Sequence, residues 1–292
     1  MQALHTIDDL PLHMRQWATR EVSRGTVLVV HGLGEHIGRY EELAAHLNAA
    51  GWSVAGYDQR GHGASAGRRG AIASADSLLR DLGLVIDTLR LAPSRPLVLL
   101  GHSMGGVVAA RFVAEGLAGQ PADWWRPVDA LVLSSPALDT GMTVLQRGLI
   151  ALLAPLAPNL ALSNGLSPQW VSRDPATVKA YVDDPLVHDR VTPRLARFIV
   201  DAGRYVRERA AQWRVPTLLL WAGADRCVAA AGSAAFAAAA PLQVVSRQRY
   251  PVLAHEIFNE PERADVLADL THWLAERPLP SVAARSNTGT TR

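Results

Sequence analysis

The segment around Ser103 reads Leu97-Val98-Leu99-Leu100-Gly101-His102-Ser103-Met104-Gly105-Gly106-Val107-Val108-Ala109-Ala110. An apolar run of strand length enters a Gly-x-Ser-x-Gly motif, and a run of small residues with helical character leaves it. Gly101 and Gly105 keep side-chain bulk away from the backbone of such a tight strand-to-helix turn. We therefore predict that Ser103 is a nucleophile whose hydroxyl projects from a strand end, beside the positive end of the following helix.

Short apolar runs alternate with longer amphipathic segments along the 292-residue chain. This alternation is typical of a mostly parallel sheet flanked by helices, and it predicts an α/β fold with eight strands. The predicted strands are residues 4–7 and 12–17, as an antiparallel hairpin, then 26–30, 52–57, 97–100, 130–133, 217–221 and 243–246. The predicted helices are residues 40–50, 74–91, 104–115, 232–240 and 262–276.

The alternation stops between residues 138 and 214, which read as helices and proline-bearing loops without strand character. An insertion between two strands of an open α/β sheet lies over the carboxyl ends of the strands, where such folds bind ligands. We predict that residues 138–214 form a helical cap, or lid, inserted after the sixth strand. Residues 1–137 and 215–277 would form the core, and the polar residues 278–292 a disordered tail.

Composition and charge exclude several classes of protein. Hydrophobic residues make up 49% and charged residues 19% of the chain, as in ordinary globular proteins. The net charge of +2 and the scattered arginines give no electrostatic reason to expect a nucleic-acid partner. The amino terminus lacks a basic region followed by an apolar one, so no export signal is expected. The single cysteine, Cys227, suits a reducing, cytoplasmic location.

The most apolar segment, residues 149–162, is shorter than the roughly 20 residues of a membrane-spanning helix, and two prolines interrupt it. One interpretation is a cap helix that buries its apolar face against the core. The other is a surface that meets lipid tails or makes transient contact with a membrane, which would place the protein at the membrane periphery. The sequence leaves both interpretations open.

A serine hydroxyl is a poor nucleophile until a base takes its proton, and an acceptor must hold that base in one tautomer. In folds with this strand-to-helix turn, the acid and then the histidine follow the serine along the chain. Asp225 lies in the turn after the predicted strand 217–221, and His255 lies in the loop before the last predicted helix. Their order and placement predict nucleophile Ser103, acid Asp225 and base His255.

The other histidine and acidic candidates fit this order less well. They lie in the last predicted helix, in the cap, before the serine along the chain, or directly beside it: His272, Asp201, His188, Asp58, His62 and His102. Taken alone, His255 could equally be an ordinary loop histidine with local hydrogen bonds. Its position relative to both partners favours the catalytic interpretation.

Acyl transfer also needs two donors for the oxyanion of the tetrahedral intermediate. The sequence predicts the backbone N–H of Met104, directly after the nucleophile, and that of Leu33, in the glycine-flanked loop after the strand 26–30. We assign His31 and Glu35 in that loop local structural roles. They form no convincing metal-ligand pattern with their neighbours, and no phosphate-loop or dinucleotide motif is present, so we expect neither a metal nor a cofactor.

Six motifs carry a resemblance to a known family: His31-Gly32-Leu33-Gly34-Glu35-His36 with Arg39-Tyr40, Asp58-Gln59-Arg60-Gly61-His62-Gly63, Gly101-His102-Ser103-Met104-Gly105-Gly106, Ser134-Ser135-Pro136-Ala137-Leu138, Asp184-Pro185-Leu186-Val187 and His255-Glu256-Ile257-Phe258-Asn259-Glu260. The chain resembles α/β-hydrolases of the monoacylglycerol lipase and lysophospholipase group, within the serine aminopeptidase S33-like hydrolases. The likeness covers nearly all of residues 26–273. It implies the same five site residues and a helical cap over an apolar acyl tunnel.

Two segments depart from the family pattern: no proline follows Asp225 within a few residues, and no glycine precedes His255 closely. The resemblance implies a serine esterase that cleaves a small lipid ester, monoacylglycerol, through an acyl-enzyme on Ser103. A lysophospholipase or a general carboxylesterase is the nearest alternative, and a non-catalytic ligand-binding protein is a more distant one. A peptidase has only the broad class name in its favour, and an epoxide hydrolase would carry aspartate in place of Ser103.

Overall fold

Eleven strands occur in the residues that the computed structural model describes, 4–19, 22–90 and 95–276. They are β1 Leu4–His5, β2 Pro11–Leu12, β3 Met14–Trp17, β4 Thr26–Val30, β5 Ser53–Tyr57, β6 Leu97–His102, β7 Ala130–Ser134, β8 Leu162–Ser163, β9 Arg190–Val191, β10 Thr217–Ala222 and β11 Val245–Tyr250. Seven of them form one sheet in the spatial order β11-β10-β7-β6-β4-β5-β3. Only the β3–β5 pair in this sheet is antiparallel, so the sheet is mostly parallel, as predicted.

Eight α-helices lie in the described residues, and six of them cover the two faces of the sheet. The helices are α1 Glu41–Ala49, α2 Ser77–Leu89, α3 Ser103–Glu115, α4 Val144–Leu156, α5 Pro175–Asp183, α6 Pro193–Glu208, α7 Ala230–Ala239 and α8 Arg263–Glu276. One apolar core joins the sheet to α2, α3, α6 and α7, and the other joins it to α1 and α8.

The strand before Ser103 lies at the centre of the sheet, between β4 and β7. Leu97 and Leu99 of β6 face one core, whereas Val98 and Leu100 face the other. Both faces of the strand are therefore buried. This explains why the sequence here is continuously apolar rather than alternating.

The first predicted strand, residues 4–7, does not join the main sheet. The expected eight-stranded sheet is therefore wrong, because the main sheet has seven strands. β1 pairs only with β2, in a separate antiparallel ladder. The second arm of the predicted hairpin is interrupted at His13, whose N–H donates to the Ser65 hydroxyl. Beyond this break, β3 pairs along the sheet edge with β5.

The strand predicted at residues 243–246 lies further along the chain, at Val245–Tyr250. Three consecutive exposed polar residues, Arg247, Gln248 and Arg249, form its middle. They are tolerated because β11 is an edge strand, with β10 as its one neighbour in this sheet. An edge strand of this kind gives no clear apolar pattern, which is why its bounds were displaced in the prediction.

The segment predicted as a cap follows β7, the fifth strand of the main sheet rather than the sixth, and contains α4, α5 and α6. The expectation that residues 138–214 hold no strand is wrong, because Leu162 and Ser163 pair with Arg190 and Val191 in a two-residue ladder. A ladder this short leaves no periodic pattern in the sequence. The division into core and cap stays a prediction.

Residues 278–292, predicted to form a disordered tail, lie outside the described residues. Among the helices of residues 4–19, 22–90 and 95–276, none combines the length and the apolarity needed to cross a bilayer.

The turn from β6 into α3 leaves no space beside its backbone. Ser103 has a φ of 54°, in the left-handed region that non-glycine residues rarely adopt. A Cβ atom added at Gly105 would lie 2.0 Å from the Val30 carbonyl oxygen and 2.4 Å from that of His31. The absence of a side chain at Gly105 therefore allows α3 to start directly against the end of β4.

Replacement of Gly105 by alanine should destabilise the protein by several kcal/mol, roughly 3 or more, because the clashing atoms belong to buried backbone. The matched control is Gly148→Ala in α4, where an added Cβ meets no atom within 4 Å. That change should raise stability by about 0.5–1 kcal/mol through helix propensity. Chemical denaturation of both variants tests this, and a Gly105→Ala chain as stable as wild type would contradict it.

Candidate active site

The carboxyl ends of the parallel strands meet at one edge of the sheet, and the three predicted catalytic side chains follow three of them. Ser103 follows β6, Asp225 follows β10, and His255 follows β11. The backbone N–H of Gly223 donates to the Tyr250 carbonyl at 2.7 Å, which holds the last two loops side by side. The sheet thus brings together residues that are more than 150 positions apart in the sequence.

Asp225 and His255 are joined by a hydrogen bond of 2.7 Å from His255 Nδ1 to Asp225 Oδ2. The other oxygen, Oδ1, accepts the backbone N–H groups of Cys227 at 2.8 Å and Val228 at 3.0 Å. Burial raises the pKa of Asp225, but His255 and these hydrogen bonds outweigh burial and bring the pKa below its usual value. The carboxylate therefore stays ionised and fixes the tautomer of the imidazole.

The charge around His255 favours its protonated form. Burial lowers the pKa of His255, but Asp225, Glu256 and Glu35 together raise it above the usual histidine value. The His102 ring lies beside it, with the ring centroids 4.7 Å apart. Burial and His255 lower the pKa of His102 to about 4, so His102 is neutral near pH 7. Its Nδ1 contacts the Ser134 carbonyl at 3.1 Å, in keeping with a packing role.

Ser103 lies where two cavities meet. The larger has a volume of about 420 Å³ and extends towards the cap along mostly apolar side chains. The smaller, about 30 Å³, is lined by polar groups that include Glu35, Tyr181, His255 and Glu256. Among the described residues, no hydrogen bond joins Ser103 Oγ to His255, although both side chains line the smaller cavity.

A third cavity of about 570 Å³ lies elsewhere, between α2, α3 and α6, and contains none of the predicted site residues. Several of its charged side chains are paired with one another, as Arg111 is with Glu115 at 2.7 Å and Arg197 with Asp201. Size alone therefore does not identify the functional site.

The two predicted oxyanion donors both lie at the larger cavity. Leu33 and Met104 line it together with Ser103. Met104 is in the first turn of α3, where N–H groups have no partner within the helix. In the part of the chain that the structure describes, no acceptor engages the Leu33 N–H.

Hydrogen bonds hold the loop of residues 31–36 in place. We call this segment the oxyanion loop. His31 donates from Nδ1 to the Gly32 carbonyl at 2.8 Å and accepts the Gln59 N–H on Nε2 at 2.9 Å. Asp58 accepts the Ile37 N–H at 2.8 Å. His31 therefore has local hydrogen bonds of the kind expected for a structural residue, and Asp58 also holds this loop.

The competing histidine and acidic residues lie away from both cavities, with the exception of His102. His272 is exposed on α8 and pairs with Glu276, and Asp201 pairs with Arg197 on α6. His188 contacts the core through its ring, which donates to the Gly61 carbonyl at 3.1 Å.

Three residues without a role predicted from the sequence lie at the smaller cavity or beside it: Arg39, Tyr181 and Glu256. Arg39 contacts Glu35 and Glu256 at 2.8 and 2.7 Å, and the Tyr181 ring centroid lies 4.8 Å from its guanidinium carbon. The sequence signal for this group of residues was Glu256, a glutamate directly after the predicted base His255. A charged residue so close to a buried histidine needs a partner.

Within the described part of the chain, one group of side chains has atoms placed closely enough for a metal ion. Asp225, Cys227 and His255 each offer a ligand atom within 4.8 Å of the others. The first and last of these are already joined by a hydrogen bond. Burial and Asp225 raise the pKa of the Cys227 thiol well above its usual value, so the thiolate that binds metals is scarce at neutral pH. These three side chains are therefore better suited to acid–base catalysis than to metal binding.

Comparisons with known proteins agree with the fold. The family described as serine aminopeptidase, S33, matches residues 21–262. The monoacylglycerol lipase of Mycolicibacterium smegmatis is 35% identical over 269 residues, which cover 88% of this chain and 90% of that protein. The phospholipase YtpA of Bacillus subtilis is 30% identical over 249 residues, which cover 82% and 91%.

Among solved structures, the monoacylglycerol lipase of Paleococcus ferrophilus is similar to this chain with a TM-score of 0.80 and 33% identity, over 91% of this chain and 98% of that one. The family match spans most of the chain, and the sheet and helices agree with those of α/β-hydrolase lipases. The chain therefore belongs to the serine aminopeptidase S33 family of α/β-hydrolases.

Proposed function

We propose that this protein is a serine hydrolase that cleaves monoacylglycerol, or a closely related single-chain lipid ester, to an alcohol and a fatty acid. The observation that carries the proposal is the hydrogen-bonded Asp225–His255 pair beside Ser103, at the junction of two cavities. The similarity to proteins named monoacylglycerol lipase supports the same substrate class.

In the first step, Ser103 Oγ attacks the ester carbonyl while His255 Nε2 takes the hydroxyl proton. Asp225 accepts the Nδ1–H of His255, keeps Nε2 free to act as base, and stabilises the imidazolium that forms. Among the described residues the Ser103 hydroxyl is not hydrogen-bonded to the imidazole, which is compatible with this step because such contacts often tighten only when substrate binds.

The carbonyl oxygen becomes an oxyanion in the tetrahedral intermediate, and the N–H groups of Leu33 and Met104 are its proposed donors. Each such donor is typically worth about 3 kcal/mol of barrier. When the intermediate collapses, His255 gives its proton to the leaving alcohol, and an acyl group stays on Ser103. A water molecule deprotonated by His255 then attacks the carbonyl carbon of that acyl group. The bond to Ser103 Oγ breaks, His255 returns the proton to Ser103 Oγ, and the fatty acid is released.

The two cavities support a division of the substrate. The cavity of about 420 Å³ is of ligand-binding size and presents apolar side chains such as Met142, Leu166 and Ile199 to an acyl chain. The smaller cavity presents polar groups such as Glu35 and Glu256 to the alcohol side of the ester. Its volume of about 30 Å³ is too small for glycerol, so Tyr181 or Leu166 must move to admit the alcohol.

A lysophospholipase is the second candidate, and one feature of the cavity rim favours it. The guanidinium of Arg226 lies over the Trp170 ring at 4.8 Å, and both residues line the larger cavity. Within the described ranges Arg226 has no ion-pair partner, so its charge is available to a phosphate group. The phospholipase of Bacillus subtilis supports the same alternative.

The exposed face of α4 supports transient contact with a membrane surface. Leu145, Leu149, Leu152 and Leu156 recur at helical spacing and are between 53% and 83% exposed. No residue of α4 is buried, so the interpretation that this helix buries its apolar face against the core does not hold. A continuous apolar stripe of this kind is typical of a surface that meets lipid. The cytoplasmic location expected from the sequence stays a prediction.

The Ser103→Ala variant should lose ester hydrolysis by about 10⁴-fold or more, because the nucleophile is gone while binding persists. A fluorophosphonate probe should label the wild-type protein at Ser103 and leave the variant unlabelled. Absence of labelling and of turnover in the folded wild type would favour a non-catalytic, ligand-binding protein. A panel of monoacylglycerols, lysophospholipids and p-nitrophenyl esters would then separate the proposed substrate from its alternatives.

The pH dependence of kcat/KM should reflect the raised pKa of His255. The imidazole must be neutral to accept the Ser103 proton, and a raised pKa keeps it protonated to higher pH. Activity on a soluble ester should therefore fall as the pH is lowered, with a midpoint above the 6.5 of an unperturbed histidine. Intrinsic fluorescence recorded over the same range controls for unfolding. A midpoint at or below 6.5 in folded protein would contradict the assigned environment.

Replacement of Leu149 and Leu152 by glutamine should weaken binding to phosphatidylcholine vesicles by about 10–100-fold, because two exposed apolar side chains are lost from the lipid contact. Hydrolysis of a soluble short-chain ester should stay unchanged. The matched control is Leu242→Gln, an exposed leucine outside the cap. Equal vesicle binding by all three proteins in a flotation assay would remove the proposed membrane contact.

A further inference from the structure

Three buried charged side chains form a bridge beside the smaller cavity. Arg39 donates from Nη1 to Glu35 Oε2 at 2.8 Å and to Glu256 Oε1 at 2.7 Å. Its second nitrogen, Nη2, donates to Glu256 Oε2 at 2.8 Å. None of the three side chains is more than 10% exposed, and the Tyr181 ring of the cap covers the guanidinium. We call this arrangement the Glu35–Arg39–Glu256 bridge.

One end of the bridge holds the oxyanion loop. Glu35 Oε1 accepts the Gly32 N–H at 2.5 Å and the Tyr40 hydroxyl at 2.7 Å. Gly32 lies directly against the nucleophile, since a Cβ atom added to it would be 3.2 Å from the Cβ of Ser103. The next backbone amide along the chain is that of Leu33. The Gly32 N–H belongs to the peptide plane before that of the Leu33 N–H, and the Gly32 carbonyl, which shares the plane of the Leu33 N–H, accepts from His31 Nδ1 at 2.8 Å. Glu35 therefore anchors the residue that joins these two planes.

The other end holds the loop of the proposed base. Glu256 directly follows His255, and its backbone N–H donates to the Val171 carbonyl at 2.8 Å. Its Oε2 also accepts the Asn259 side-chain amide at 2.8 Å. Both the backbone and the carboxylate of Glu256 are thus fixed. The bridge connects two loops that lie more than 200 positions apart in the sequence.

The chemistry of this arrangement favours a role in geometry over one in stability. A buried ion pair is costly to desolvate, and replacement by apolar side chains is often neutral or stabilising. A guanidinium that engages two carboxylates at once accepts only a narrow range of positions, because its donors form a rigid planar fork. Such a group can hold two separate loops in a fixed position relative to each other.

We propose that Glu256 is a positioning residue for the hydrolysis at Ser103. It acts through Arg39, which holds Glu35 against the Gly32 amide. Through Gly32, Glu35 in turn limits where the Leu33 N–H, the proposed oxyanion donor, can lie. This inference rests on the proposed function and adds a residue to it that touches neither the substrate nor the reacting atoms.

The bridge also carries a net negative charge next to the imidazole. His255 is faced by Asp225 from the loop after β10, by Glu35 from the oxyanion loop, by Glu256 from its own loop and by His102 from the end of β6. Burial lowers the pKa of His255, and the three carboxylates raise it. Removal of the Glu256 charge should therefore lower that pKa, which a purely structural role would not require.

The test compares Glu256→Gln with a matched loss of a buried carboxylate elsewhere. Asp81 pairs with Arg60 at 2.6 Å, both side chains are buried, and neither lines a cavity that contains Ser103. Asp81→Asn and Glu256→Gln should both lower the melting temperature. Only Glu256→Gln should lower kcat, by about 10–100-fold with KM changed less than about threefold. The acid limb of its kcat/KM–pH profile, where activity falls as His255 becomes protonated, should also move to lower pH.

A second measurement isolates the oxyanion donors. An alkyl trifluoromethyl ketone adds the Ser103 oxygen to its carbonyl carbon and forms an oxyanion like that of the intermediate. Its affinity should fall in parallel with kcat for Glu256→Gln and stay at the wild-type value for Asp81→Asn. Glu256→Asp keeps the charge but withdraws the carboxylate, so it should give an intermediate kcat with an unmoved acid limb. This variant carries the test if Glu256→Gln does not fold.

The outcomes separate this inference from the proposed function. Wild-type kcat, inhibitor affinity and acid limb in folded Glu256→Gln would overturn the positioning role and leave the esterase intact. An equal loss of kcat in Asp81→Asn would also overturn it, since general destabilisation would then explain the effect. A folded wild-type protein that neither hydrolyses esters nor reacts with a fluorophosphonate would overturn the proposed function itself.

Discussion

Ser103 has a left-handed backbone at the end of the most deeply buried part of the sheet, and the active edge is arranged around that turn. A non-glycine residue in this region costs about 1–2 kcal/mol, and it persists only where the surroundings leave the chain no alternative. β6 supplies this constraint, because it is hydrogen-bonded on both sides and buried on both faces. The missing side chain at Gly105 lets α3 begin against the Val30 carbonyl.

The electrostatics of the site follow from the burial of its charged side chains. Asp225, Glu35 and Glu256 bring three carboxylates within reach of one imidazole, and Arg39 compensates only part of that charge. In low-dielectric surroundings this excess favours the imidazolium that forms in the reaction. On one side of Ser103, hydrogen bonds and ion pairs hold the charged side chains in place. On the other side lies a cavity of about 420 Å³ that is lined mostly by apolar side chains.

Much of this site could be predicted from the sequence, because catalytic residues in a parallel sheet follow the ends of buried strands. The Gly-x-Ser-x-Gly turn after β6 and the loops after β10 and β11 identified Ser103, Asp225 and His255, and the structure brings the last two into a hydrogen bond. The break between β2 and β3 lies at His13, whose N–H donates to Ser65 from a distant part of the chain, and no local pattern reveals this contact. The contacts of Arg39 were also hidden, since they join residues from distant parts of the chain.

The Glu35–Arg39–Glu256 bridge constrains how this protein can change during evolution. A mutation that neutralises Glu256 leaves Arg39 paired with Glu35, so every remaining buried charge still has a partner. A mutation that removes Arg39 first leaves two carboxylates buried without their shared cation, which costs far more. The geometry thus gives the substitutions an order. Loss of Glu256 before Arg39 destabilises the fold less than loss of Arg39 before Glu256.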